Sequence, residues 1–301
     1  MYNVASKSII AAMLASAICF SGCSSKSAER IEAEKLIANA DSALKVQNYD
    51  EAIAILDSLK AKYPTEIDIQ RQGMHLRPQA IEGQTIRELQ TTDSLRAYYE
   101  YVSDSLKQYF TLVHNPELGE DYDYYVIKEY KNSNLFNRTG LEARVEPSGE
   151  LRLISSLVGH PGVKHTKITL SSKSAGQLVE SAEVPYDGER NYRSGSTEMI
   201  TFIGAECDTL GHYLTNDAPR DVTLAFRGAK VHTMPLSKND RKSLELSYKF
   251  AQATAQTGSQ TRLSQQTVND SPRPGRPHSQ GSGVNSILQT LTVKPLEYIV
   301  I

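Results

Sequence analysis

Tryptophan is absent from the 301 residues, cysteine occurs only at positions 19, 23 and 207, and the 33 Lys and Arg nearly balance the 35 Asp and Glu. Near-neutral charge without a concentrated basic stretch leaves no electrostatic footprint for nucleic acid, so that partner class is excluded. The lack of tryptophan counts against sugar recognition by indole stacking. No apolar run reaches the roughly 20 residues that a transmembrane helix needs. The longest, residues 9–20, follows Lys7 and gives way to Lys26, Glu29, Arg30 and Glu32, which reads as a removable secretory signal over residues 1–22.

What the sequence does have begins at that boundary. Phe20-Ser21-Gly22-Cys23 resembles the lipobox of bacterial lipoproteins. The resemblance implies cleavage before Cys23 and acylation of its sulfur and new amino end. Two or more acyl chains give stable anchoring where one is marginal. Cys19 leaves with the signal and Cys23 is consumed by lipid, so Cys207 has no partner for an intramolecular disulfide and the fold must hold by its core. By analogy, Ser24 after the lipidated cysteine implies sorting to the outer membrane. The lack of a following acidic cluster implies its periplasmic face.

Across residues 28–63 the apolar positions recur at threes and fours, among them Ile31, Leu36, Ile37, Ala40, Leu44, Ala52, Leu56 and Leu59, which predicts two amphipathic helices around the polar turn at 46–50. Pro64 ends the second. Ala40, Tyr49, Ala52, Leu56 and Pro64 resemble one tetratricopeptide repeat; one repeat further on, Gly83 and Ile86 break the pattern. A single repeat does not make a solenoid. A long helix is expected over 83–113, ended by Asn115-Pro116, with Leu95, Tyr99, Val102, Leu106, Tyr109 and Val113 at heptad spacing. This seam either packs on the hairpin or forms a helical interface through Leu95, Tyr99, Val102 and Leu106.

After residue 121 the period approaches two, with β-rich runs at 124–130, 141–146, 150–158, 164–171, 177–184, 197–206, 221–226 and 230–234. Short strands without intervening helices favour an antiparallel β-sandwich. Ser237 and Asp240 form a capping pattern for a last helix through Ala251. The chain is thus expected to be α+β: a helical, tetratricopeptide-like domain over 23–120 made of a hairpin plus a long helix, and a β-sandwich with a terminal helix over 121–252. Residues 253–301 form a polar tail, rich in Gln, Ser, Thr, Pro and Gly, whose composition predicts disorder. Apolar character returns only from Ile287, where an edge strand or a docking tail is expected.

Candidate chemistry is sparse. Cys207 lies near His212, Glu206 and Asp208, as a thiolate hydrolase or transferase would require, but a lone cysteine after an apolar run is more often core. His160, His165, His212 and His232 show no metal-ligand spacing, and no cofactor is expected. The loop at 185–193 offers Tyr186, Arg190, Tyr192 and Arg193 as a glycan-binding surface, or is simply a solvated connection. Half of the sixteen tyrosines gather at Tyr98, Tyr99, Tyr101, Tyr109, Tyr122, Tyr124, Tyr125 and Tyr130, where helix and sheet meet. Five tripeptides of the form Asp, hydroxyl, apolar place Ser42, Ser58, Ser94, Ser105 and Thr209 in a pattern resembling the O-glycosylation sequence of Bacteroidota envelope proteins. Helix patterning, with Asp and Ser on the wet face, gives the same spacing. Anchor, hairpin and sandwich together resemble accessory lipoproteins of that envelope. The resemblance implies a non-enzymatic protein-binding scaffold or assembly factor, with a glycan-binding module as the alternative.

Overall fold

The computed structural model describes residues 27–114 and 123–270; the signal, Cys23, Tyr122 and the apolar C-terminal stretch lie outside the described residues. The fold is α+β, with helices first and then two antiparallel sheets in a sandwich-like domain. The chain divides into two compact units, Met1–Glu88 and Leu89–Ile301, and α3 (Ile67–Lys107) contributes residues to both.

In the first unit α1 (Ala28–Lys45) and α2 (Tyr49–Lys62) form the hairpin. Ser27 caps α1 by accepting the Arg30 amide at 3.1 Å, satisfying one of the donors that a helix start leaves unpaired. Small residues at Ala33, Ala40, Ala43, Ala52 and Ala80 let the helix backbones approach, and Leu56, Leu59 and Ile69 supply the bulk of a small core. Gln70 donates to the carbonyls of Leu59 and Tyr63 at 2.9 and 2.8 Å, closing the end of α2 from α3.

Two features of α3 differ from the sequence reading. It begins at Ile67, sixteen residues before Gly83, and carries Pro78 internally. The bond that Pro78 cannot make would go to the carbonyl of Met74, whose side chain is 74% exposed, so water is at hand on that side. It also stops at Lys107, and residues 110–113 become β1 (Phe110–Val113), paired with β2 (Tyr124–Ile127). Phe110 leaves the helical period to stack on Phe250 at a centroid distance of 4.9 Å, burying a large aromatic that another helical turn would have turned elsewhere.

The second unit adds β3 (Gly140–Val145), β4 (Leu151–Val158), β5 (Lys167–Ser172), β6 (Gln177–Glu180), β7 (Asn191–Ser194), β8 (Thr197–Ile203), β9 (Val222–Arg227) and β10 (Val231–Pro235). One sheet has the order β1-β2-β3-β4-β8-β7 and the other β10-β9-β5-β6, every pairing antiparallel. Leu141, Leu153, Ile200 and Phe202 from the first, and Ile168, Leu170, Leu224 and Phe226 from the second, belong to one buried core. Helical structure does interrupt the strands: α4 (Asp208–His212) and a π-helical turn, Tyr213–Asp217, lead from β8 to β9. These residues bury Leu210, Tyr213 and Leu214, whose spacing fits a helix rather than a strand.

The last helix, α5 (Lys238–Asp270), opens as its cap pattern predicts, with the Asp240 amide donating to Ser237 Oγ at 3.0 Å. It also completes a sheet. β2 pairs with β3 only at Tyr125 and Val145, and the amide and carbonyl of Ala143 are met instead by Ser243 and Ser247 one helical turn apart, at 3.1 and 3.4 Å. The helix continues to residue 270, correcting the disorder expected for residues 254–270. Thr257, Ser259 and Thr261 turn their hydroxyls back to the carbonyls four residues earlier, and Thr254 bonds Ser103 of α3 at 3.2 Å, so these four hydroxyls are satisfied within or beside the helix.

Candidate functional site

The β7 region does not assemble the surface expected of it. Tyr192 and Arg193 are neighbours on one strand and point to opposite faces of the sheet. Tyr192 meets Phe136 edge-on at 6.4 Å, and both rings are substantially exposed. Arg193 lies 4.4 Å over one face of the Tyr186 ring. Arg190 is held by both carboxylate oxygens of Glu206 at 2.8 and 2.9 Å. Asp187 Oδ1 accepts the amides of Glu189 and Asn191, folding the loop onto its own strand. Tyr186 and Arg193 pack on each other, but Arg190 is taken up by Glu206 and Tyr192 by Phe136, so the four do not form one surface.

Sequence reasoning passed over a different constellation. Glu198 on β8 and Ser155 on β4 flank His165, which sits just ahead of β5. Ser155 Oγ lies 3.0 Å from His165 Nε2, and His165 Nδ1 lies 2.9 Å from Glu198 Oε2. The carboxylate also accepts the amides of Lys164 at 2.8 Å and His165 at 2.9 Å. An acceptor at Nδ1 places the proton there, leaving Nε2 to accept from the Ser155 hydroxyl. Asn191 adds bonds to the carbonyls of His165 and Val184 at 3.2 and 2.9 Å.

This is the nucleophile, base and acid order of a serine hydrolase, but Ser155 and His165 are 0% exposed and Glu198 is 4% exposed, inside the sandwich. A carbonyl substrate has no approach to Ser155 Oγ, and nucleophilic catalysis needs such an approach. What the group does in this geometry is tie the β4–β5 crossover to the six-stranded sheet. Burial pushes His165 below its ordinary value despite the pull of Glu198, so the ring is neutral. Glu198 resists burial by its hydrogen bonds to His165 and the two amides, which hold its carboxyl below the usual range. The available signal was polar residues at inward positions of apolar strands: Ser155 in β4 and Glu198 in β8.

Cys207 is fully buried, and its thiol, pushed up to about 12 by burial and by Asp208 and Glu206, donates to the Gly204 carbonyl at 3.3 Å. His212 is exposed and lies 3.7 Å from Asp217. A protonated, enclosed thiol is the opposite of an activated nucleophile. Beside it, an open cleft of about 630 Å³ runs between β6 and α4, lined by Leu178, Asp208, Thr209, His212 and Asp217 among others. Among the described residues, no group of three or more His, Cys, Asp or Glu is placed to hold a metal ion.

The α3 seam is divided. Val102 and Leu106 are buried in the core of the second unit, which corrects their assignment to a free helical interface and to packing on the hairpin. Leu95 is 40% exposed and Tyr99 half-buried, with Tyr98, 45% exposed, edge-on to Tyr99 at 5.3 Å. Ser42, Ser58, Ser94, Ser105 and Thr209 all lie in helices. The hydroxyls of Ser42 and Ser94 bond back to carbonyls four residues earlier, and Thr209 donates to Glu180 at 2.7 Å.

No family model matches the chain, and neither a curated protein nor a solved structure matches it.

Proposed function

We propose that the chain is a lipid-tethered protein of the bacterial outer membrane, on its periplasmic face, that binds another envelope protein and carries no catalysis of its own. One observation supports protein binding above the alternatives. The helical stripe that sinks into the core at Val102 and Leu106 continues one to two turns earlier through Leu95, Tyr98 and Tyr99, where apolar and aromatic surface stays uncovered. Aromatic and aliphatic side chains in line on a rigid helix are the usual anchors of a protein interface. The glycan reading loses its support with the dispersal of Tyr186, Arg190, Tyr192 and Arg193, and the thiol reading with the burial of Cys207.

The tether rests on the Ser21-Gly22-Cys23 pattern. No described helix is long and apolar enough to cross a membrane. Crosslinking and affinity capture from the native host, comparing the wild type with Leu95→Asp/Tyr98→Ala, tests the interface. A stoichiometric partner captured by the wild type and by Tyr186→Ala/Tyr192→Ala, but lost from the α3 variant, is expected. Capture unchanged by the α3 substitutions removes the assignment. Labelling with an alkyne fatty acid, lost in Cys23→Ser, tests the anchor separately.

A further inference from the structure

The passage from the six-stranded to the four-stranded sheet, residues 159–166, is held at two places by histidine. Inside, the Glu198 carboxylate accepts the amides of Lys164 and His165 and the ring of His165, while Ser155 bonds its other nitrogen. Outside, His160 lies against His232 of edge strand β10, their ring centroids 3.8 Å apart and their planes 31° from parallel. Phe226 of β9 stands between the two places, 5.3 Å from His165 and 6.1 Å from His232. Gly159 and Gly162 flank the outer contact at φ +82° and +93°, in open space on the side where a Cβ would stand, in a turn held by backbone bonds from the Gly159 amide to Ser196, the Val163 amide to His160 and the Lys230 amide to Val163.

We infer that this crossover is an acid-released latch, closed near neutrality and opened locally when His232 and His165 take up protons. The outer pair can stack only while at least one ring is neutral, because two imidazolium rings at this separation repel. The inner ring faces Glu198 on β8, Arg193 on β7, and the uncharged Ser155 on β4, Phe226 on β9 and Asn191 on β7. Of these, only Glu198 favours a proton on it; Arg193 and the apolar surroundings oppose one. Burial, and His160 beside it, hold His232 below its ordinary value. Protonation therefore favours conformations in which the rings reach water.

The amides of Lys164 and His165 report the latch directly, because both end on Glu198. Hydrogen–deuterium exchange on the full chain, expressed as protection factors, is compared near pH 7.5 and near pH 5.5 for peptides covering 159–168, 151–158 and 222–227. Protection of the crossover is expected to fall about tenfold, while the β4 and β9 peptides hold within about twofold. His232→Asn, at a half-buried position on edge strand β10, is expected to shrink the response while the fold is kept. Protection independent of pH, loss shared equally by all three peptides, or an undiminished response in His232→Asn would each overturn the inference.

Discussion

Asp240 shows how one buried carboxylate organises its surroundings. It is 1% exposed at the start of α5 and receives the Tyr130 hydroxyl at 2.6 Å and Arg138 at 2.7 Å, while Arg138 also lies 4.4 Å over the Tyr130 ring and donates to the Leu141 carbonyl. Removing the acid strands a buried phenol and a largely buried guanidinium, and breaking such a pair costs about 3 kcal/mol. Asp240→Ala is expected to lower the melting temperature of the second unit by roughly 6–12 °C for a domain of this size. Tyr130→Phe, which removes one donor and strands nothing charged, costs only about 1 kcal/mol. Equal losses in the two variants, read by calorimetry, would show that the charge is not what matters. At Cys207 the prediction is chemical: peptide mapping after maleimide treatment at neutral pH finds this thiol unmodified in the native chain and modified after unfolding. Native labelling would mean that burial and its raised pKa do not protect it.

Elements were readable where one local rule decided them. The hairpin α1–α2 follows from its apolar period, the start of α5 from Ser237, and the β3–β4 turn from Pro147-Ser148-Gly149, where the Gly149 amide bonds Glu146. Where tertiary contacts decide, the sequence was silent or misleading. Phe110 is a strand residue because Phe250 waits for it, and Asn191 begins a strand because Asp187 folds the preceding loop back. The inward cluster of Ser155, His165 and Glu198 comes from two strands of one sheet and the crossover that leaves it, and no spacing along the chain announces it. The far half of α5 is the clearest case, since its Gln, Ser and Thr content matches disorder while the hydroxyls of Thr257, Ser259 and Thr261 are satisfied in the helix. Gly258 sits in that half with open space around the position of a Cβ. Gly258→Ala is therefore expected to stabilise by about 0.5–1 kcal/mol, the helix-interior preference for alanine, in urea titrations followed by circular dichroism. A neutral result would place residue 258 outside ordered helix.

For the molecule as a whole, the buried ionisable groups set a direction for pH. His165, by burial, and His232, by burial and the neighbouring His160, are held below their ordinary value, so the unfolded chain binds protons at a higher pH than the folded one. Their contribution is complete above about pH 6.5 and drains as pH falls from there toward the folded values. Glu198 has the same sign further down. Its folded pKa lies below the ordinary carboxyl value, so what it contributes is present above about 4.5 and is lost below. Glu142 opposes it: burial raises its pKa despite Arg144 and Arg138, so its charged form costs stability as pH rises through the carboxyl range. Glu198 acts below the ordinary carboxyl value and Glu142 above it, so Glu142 offsets part, in sign, of what the histidines lose as pH falls from about 6.5 toward the carboxyl range. Scanning calorimetry on the full chain is thus expected to show a melting temperature that is level above neutrality and declines through this interval. The decline should be shallower in His232→Asn, which leaves His165 alone to drive it. A melting temperature that is flat or rises on acidification from neutrality to about pH 5 would mean that the buried rings accept protons without cost, and that Glu198 stabilises the imidazolium of His165 more than the surrounding apolar core and Arg193 oppose it.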